Sequence, residues 1–279
     1  MTFRSGFVTL AGRPNVGKST LLNIICGEKV SIVSDKPQTT RTAVRGILHR
    51  PDAQVVFVDT PGLHKPVTAL GERLNVSARE ALGDVDVACL VLDATQPFGR
   101  GDRWVAERLP AGYVVVVNKI DRAPRAAVAA QLGASGSLPA EAWFPVSART
   151  GDGVAALVDH LVERLPEGPA YYPPDVVADV PDAARVAELV REQLLAVTHD
   201  ELPYSIATQV TEWEWPRIRV EILVERDSQK GMVIGKGGAV LKQAGIRVRE
   251  QLPPGAHLEL FVTVDKNWQH KPDRIDRLY

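Results

Sequence analysis

The chain has 279 residues, enough for two domains of ordinary size. It is 45% hydrophobic and 24% charged, which supplies a core and excludes wholesale disorder. Thirty-three Lys and Arg against 34 Asp and Glu leave a net charge of −1, which excludes a basic coat and confines any nucleic-acid-binding charge to a local patch.

From residue 5 to 165, short β-branched runs alternate with helical patterns. Strands are expected at Phe7–Ala11, Ala43–Leu48, Gln54–Asp59, Val85–Asp93, Tyr113–Asn118 and Trp143–Ser147, with helices such as Lys18–Cys26 and Val154–Leu165 between them. In the last helix Val154, Leu157, Val158, Leu161 and Leu165 share one face. This alternation predicts an α/β unit: a mostly parallel sheet with helices on both faces.

The pattern stops at Pro166. Residues 166–182 carry five prolines and no period, so they read as a semi-rigid linker. Beyond it come a helix (Ala183–Val197), two strands (Ser205–Glu212 and Ile218–Glu225), a Gly-rich loop, a helix (Ala239–Leu252) and a strand (His257–Val264). That is a smaller α+β module. The expected division is 1–166, a linker at 167–182, and 183–279.

No apolar run approaches the ~18 residues of a membrane span, and Met1–Leu10 lacks the long apolar core of a signal peptide. A cytoplasmic protein is expected. Cys26 and Cys89 lie in apolar runs and read as reduced core thiols. Trp213, Trp215 and Trp268 read as packing residues rather than stacking groups.

Gly12-Arg13-Pro14-Asn15-Val16-Gly17-Lys18-Ser19 fits the phosphate-loop pattern GxxxxGK[ST], between an expected strand and a helix, with Thr20 following. Glycines let backbone N–H groups close on phosphate oxygens, and the helix N-terminus adds positive potential. Lys18 suits the β- and γ-phosphates, and the Ser19 hydroxyl suits Mg²⁺. Asn118-Lys119-Ile120-Asp121 ends the apolar run from Tyr113, at the carboxyl edge where such sheets bind ligands. The Asp121 carboxylate matches the paired donors of guanine, which adenine lacks, so GTP and GDP are the expected nucleotides. Ser147-Ala148-Arg149 follows the next strand and suits a backbone contact to the guanine O6. Asp59-Thr60-Pro61-Gly62 ends another strand. Asp59 suits a water-mediated Mg²⁺ contact, and the Gly62 N–H suits the γ-phosphate. In Gln38-Thr39-Thr40-Arg41 one threonine should close over Mg²⁺, and Thr40 is favoured over Thr39. Lys18, Thr40 and Gly62 are the candidates for positioning water and the transition state. The residue after Gly62 is Leu63, which cannot orient water, so no catalytic base is assigned and slow intrinsic turnover is expected.

The ordered set GRPNVGKS, QTT, DTPG, NKID and SAR resembles the five G motifs of the translation-factor-related GTPases. In related GTPases an Asn at the place of Asn15 helps bind K⁺; here two roles for Asn15 stay open, K⁺ binding and capping of the loop alone. In the second module, Ile234-Gly235-Lys236-Gly237-Gly238 sits between two helices in an αββααβ order, the setting of a type II KH domain. A GxxG loop of that kind clamps about four unpaired nucleotides. From Ser228 to Arg249 the sequence has five cations, Lys230, Lys236, Lys242, Arg247 and Arg249, and no acid.

With the two halves joined, and with DTPGLHK at 59–65, HDELPYS at 199–205 and Lys266-Asn267-Trp268 near the end, the chain resembles the Era family of bacterial ribosome-assembly GTPases from end to end. The resemblance implies a switch that binds the 3′ end of 16S ribosomal RNA and serves the 30S subunit; a monomer is the default expectation. It also implies preference for RNA in the GTP state and peripheral contact with the inner face of the membrane. A tRNA-modifying GTPase is disfavoured, because no domain precedes the phosphate loop in this sequence.

Overall fold

A computed structural model describes the chain except residues 1, 37, 63–67, 84 and 199–201 and the side chains of 81 and 82. Contacts divide it into two compact units. The first holds Met1–Val33, Thr40–Pro66 and Gly71–Asp179, and the second holds Ser34–Thr39, Val67–Leu70 and Val180–Tyr279, each in its described residues.

The first unit is built on β1 (Arg4–Ala11), β2 (Val44–His49), β3 (Ala53–Asp59), β4 (Val87–Asp93), β5 (Val114–Asn118), β6 (Ala142–Pro145) and β7 (Ala178–Asp179), in the spatial order β6-β5-β4-β1-β3-β2-β7. β6, β5, β4, β1 and β3 run parallel; β2 is antiparallel to β3 and β7 to β2. Strands β3, β4 and β5 are buried along their whole length, as a sheet covered on both faces requires. The connecting helices are α1 (Lys18–Cys26), α2 (Ala69–Gly83), α3 (Arg100–Ala106), α4 (Arg125–Ser135) and α5 (Val154–Arg164). Val8, Val55, Phe57, Val114 and Val116 pack on Leu21, Leu22, Leu157 and Leu161 of α1 and α5. Leu90, Leu92, Val115 and Val117 face the other way, onto Val105 of α3 and Val128 and Leu132 of α4. Period-two strands between helical stripes thus form two cores, one on each face.

Two expectations need correction. β1 begins at Arg4, not Phe7, because Arg4–Gly6 pair with Ala53–Val55 regardless of their polarity. Ser5 is buried there, and its Oγ donates to the Pro169 carbonyl at 2.7 Å. Residues 166–179, expected as linker, lie along the first unit's sheet. The Gln54 amide receives the N–H groups of Tyr171 and Tyr172 at 2.6 and 3.0 Å and donates to the Tyr172 carbonyl at 2.8 Å. The Tyr171 ring stacks at a tilt on Phe7, 5.0 Å between centroids. Proline removes donors from this stretch, but the Tyr171 and Tyr172 N–H groups still donate and the Pro169 and Tyr172 carbonyls accept, and these bonds dock it.

The second unit contains α6 (Asp182–Val197), α7 (Leu202–Ser205), β8 (Ala207–Glu214), β9 (Arg217–Val224), α8 (Asp227–Ile234), α9 (Ala239–Arg249), β10 (His257–Val264) and α10 (Pro272–Leu278). Its sheet runs β10-β9-β8, with β9 antiparallel to β8 and parallel to β10. Residues 202–205, expected partly in a strand, form a short helix instead. Trp268 is fully buried and its indole N–H donates to the Ser205 carbonyl at 2.9 Å, so it packs as expected. Trp213 and Trp215 do not: they sit where β8 turns into β9 through a two-residue connection, and are 40% and 52% exposed there.

Candidate functional site

The carboxyl ends of β1, β3, β4 and β5 converge on one edge of the sheet, where ligands bind in such folds. The loop Gly12–Gly17 joins β1 to α1 there. Gly17 has φ 97°, a left-handed value, and a Cβ on it would stand 2.3 Å from the Asn118 Nδ2. Only glycine fits. The Lys18 ammonium is buried against the carbonyls of Gly12 and Arg13, at 3.3 and 3.1 Å. Desolvation lowers its pKa to about 8, with the Asp59 carboxylate pulling the other way.

Asp59 is the centre of a buried polar cluster. Its Oδ2 accepts from Ser19 at 2.7 Å, Ser31 at 3.0 Å and Thr40 at 3.2 Å, and the Ser19 and Thr40 hydroxyls lie 3.0 Å apart. Burial pushes the Asp59 carboxyl up, against the pull of Lys18 and the three hydroxyls. Its second oxygen, Oδ1, is buried with no hydrogen-bond partner among the described residues. The Ser19 and Thr40 hydroxyls beside a carboxylate with one uncommitted oxygen are a donor set that suits Mg²⁺, which keeps waters and takes its other ligands from phosphate. No cluster of three His, Cys, Asp or Glu that could hold a metal occurs among the described residues. Thr40, not Thr39, enters this cluster; the Thr39 hydroxyl turns to the Lys36 carbonyl at 2.7 Å. Ser31 was not foreseen, since no local pattern marks it.

The Thr60 hydroxyl donates to the Leu10 carbonyl at 3.2 Å, fixing the turn Asp59–Gly62 on β1. Gly62 backs onto Pro14 of the phosphate loop. The expected position of Leu63 lies outside the described residues. Thr20 is half-buried on α1.

Asn118 ties three motifs together. Its Nδ2 donates to the Val16 carbonyl at 2.9 Å, and its Oδ1 accepts from the Ala148 N–H at 2.9 Å. Lys119 donates to the Asn15 carbonyl and to Asp93 Oδ2, both at 2.6 Å. Asp93 was also missed, although it ends an apolar strand at the same edge. Burial opposes its charge, but Lys119 and the Thr95 donors outweigh that and hold its carboxyl below the ordinary range. Ile120–Arg122 form a single 3₁₀ turn. Asp121 accepts from the Ser147 hydroxyl at 2.8 Å, and Arg149, two residues after Ser147, is exposed. Both thiols are inert: burial pushes Cys26 and Cys89 up to about 12.

In the second unit, Gly235, Gly237 and Gly238 all take left-handed φ values of 73°, 61° and 77°, turning the chain from α8 into α9. Lys236 and Lys242 are exposed, as are Arg247 and Arg249; Lys230 and Ile234 are half-buried. Met232, on α8 just before this loop, is 60% exposed.

Residues 7–119 match the family model of the 50S ribosome-binding GTPases, and residues 201–269 match the KH domain. The GTPase Era of Mycobacterium tuberculosis strain H37Rv is 49% identical over 296 residues, which span 99% of this chain and 98% of that one. The chain belongs to the Era family of GTPases. The Era of Mycobacterium avium strain 104 is 47% identical, again over 99% and 98% of the two chains. A point variant of Aquifex aeolicus Era, solved bound to GDP·AlF4⁻, is 34% identical, with a TM-score of 0.92 and 99% of each chain covered. A solved Era complex with MgGDPNP and nucleotides 1506–1542 of 16S ribosomal RNA is 34% identical, with a TM-score of 0.94 over 99% of this chain and 98% of that one. As an Era-family member the protein is a GTPase, with a P-loop domain followed by a KH domain.

Proposed function

We propose that this Era-family GTPase uses its KH domain to hold the unpaired 3′ end of 16S ribosomal RNA and so assists assembly of the 30S subunit. The observation that carries the reading is the exposed basic loop Gly235–Gly238 between α8 and α9. It is supported by a relative solved with that RNA segment. The proposed RNA contacts are Ile234, Gly235, Lys236, Gly237, Gly238, Lys230 and Lys242. The glycines admit the sugar-phosphate backbone closely, the lysines balance its charge, and Ile234 meets the bases.

In the proposed nucleotide site, the backbone N–H groups of residues 12–20 other than Pro14, which has none, surround the phosphates and Lys18 balances their charge. Asp121 receives the guanine donors, while Ser147, Ala148 and Arg149 close over the base. Ser19 and Thr40 would hold Mg²⁺, with Asp59 acting through water. Bound there, Mg²⁺ supplies charge stabilisation to the β- and γ-phosphate oxygens. The Gly62 N–H faces the γ-phosphate, and Thr40 and Gly62 orient the attacking water through their main chain. Asn15 is the proposed K⁺ ligand; equal turnover in K⁺ and Na⁺ would remove it from that role. Loss of the γ-phosphate frees the segments around Thr40 and Gly62, and the RNA grip weakens with them.

The proposed division is 1–166 with its docked extension through Asp179 for nucleotide, and 183–279 for RNA. The protein acts as a cytoplasmic monomer with peripheral contact at the inner membrane face, a reading that rests on the family resemblance. Among the described residues no helix is long and apolar enough to cross a membrane.

The test is fluorescence anisotropy with an oligonucleotide copying the 3′ terminus of 16S RNA, in GDPNP and in GDP. Binding should be tightest with GDPNP. Gly235→Asp with Lys236→Ala should abolish it while leaving GTP affinity unchanged. Affinity that ignores the nucleotide, or survives the loop change, would refute the proposal.

A further inference from the structure

Arg13 occupies a variable position of the phosphate-loop pattern, where the motif asks only for a backbone N–H. Its side chain nevertheless has a built receptor. The Nε lies 2.8 Å from the Asp102 Oδ1, and Nη2 donates to the Gln96 Oε1 at 3.1 Å. The Nε–Oδ1 approach is off the hydrogen-bond line, so the pair is held by charge. Asp102 is 1% exposed, an ionisable group that stays buried through its partners. Its other oxygen, Oδ2, accepts from the Gly99 N–H at 2.9 Å and caps α3. The backbone of α3 presses on the same arginine: a Cβ on Gly101 would stand 2.7 Å from the Arg13 Cδ.

The segment from Asp93 to Asp102 is therefore fastened to the nucleotide motifs at both ends, by Lys119 to Asp93 and by Arg13 to Gln96 and Asp102. The Lys18 ammonium rests on the carbonyls of Gly12 and Arg13. Pro14 fixes φ immediately after. The orientation of the Arg13 peptide thus depends on where its side chain is anchored.

We infer that Arg13 is a positioning residue: clasped by Asp102 and Gln96, it aims the two carbonyls that seat Lys18, and through Lys18 it sets the grip on the β- and γ-phosphates. The clasp lies on the α3 side of the phosphate loop.

Three variants test this in the full chain: Arg13→Met, Asp102→Asn and the pair together. Asparagine can still cap Gly99 through its oxygen but gives the guanidinium no charge. Each variant should weaken GTP affinity about tenfold, and the double variant by no more than either single one, because both remove one interaction. Stability should follow a different pattern. Arg13→Met strands a buried carboxylate and lowers the unfolding midpoint. Adding Asp102→Asn removes that carboxylate and raises the midpoint again. A midpoint restored without restored GTP affinity is the expected result. If affinity returns with the midpoint, or if Asp102→Asn binds GTP like the parent, the clasp is merely structural and the inference falls. Arg13→Lys keeps a cation beside Asp102 and should recover most of the affinity that Arg13→Met loses; equal affinities in these two would also overturn it.

Discussion

Replacing Asn118 by alanine should break the nucleotide site from its centre. The side chain is 1% exposed and makes one hydrogen bond in each direction, to the Val16 carbonyl and from the Ala148 N–H. Truncation strands both backbone groups away from water, at roughly 1–3 kcal/mol each. Entry of a water into the space would return part of that. About 3 kcal/mol is then at stake, a factor of about 100 if all of it falls on binding. The loss divides between folding and affinity, so both must be read on one protein. Denaturant unfolding without nucleotide gives the first, and titration with a fluorescent GDP gives the second. Gly17→Ala is the companion variant, because its methyl would press on the same amide, 2.3 Å away. The two substitutions should be strongly non-additive. A combined loss under about 1 kcal/mol in Asn118→Ala, or simple additivity with Gly17→Ala, would show that Asn118 does not couple the motifs.

Three further outcomes are expected. Thr40→Ala should raise the Mg²⁺ concentration needed for tight GTP binding about tenfold, while Thr39→Ala leaves it unchanged; a Mg²⁺ titration of GTP affinity decides, and equal effects would reject the geometric choice of Thr40. Asp121→Asn should weaken GTP binding by a factor of about 100 or more and improve binding of xanthosine triphosphate, whose acceptor replaces a guanine donor; competition binding with the two nucleotides reads both. The Asp93 carboxyl is held below its unfolded value, so it binds a proton less readily in the folded chain. Its contribution is present above about pH 4 and lost as pH falls through the folded pKa. Asp93→Asn should therefore flatten the acid limb of the stability curve, and an unchanged slope below about pH 4 would count against the Lys119 pairing.

What was legible in the sequence is what local chemistry encodes. The phosphate loop, Asp59, Asn118 and Asp121 are contiguous motifs whose residue types state their own task, and the buried runs of β3, β4 and β5 announce a two-faced sheet. Thr40 is favoured over Thr39 from the sequence, and the structure turns the Thr40 hydroxyl to Asp59 and the Thr39 hydroxyl to the Lys36 carbonyl. Ser31, Asp93 and Asp102 were missed because each is defined by a partner far away in the chain. Composition misled twice. Proline-rich residues 166–179 lacked periodicity yet found acceptors and donors on an existing sheet. Trp213 and Trp215 carry the hydrophobicity of core residues but sit at a turn that leaves them about half exposed.

The short pairing of Ala178 and Asp179 with Gly46 and Arg45 bears on how the nucleotide-binding half can be produced alone. Cutting after Pro166, where the periodic pattern ends, would strip the outer rim from β2 and bare a row of unsatisfied amides and carbonyls. A naked rim of that kind recruits strands from other molecules. A fragment ending beyond Asp179 keeps its own selvedge and should stay monodisperse, whereas the shorter one should form soluble clumps on a sizing column.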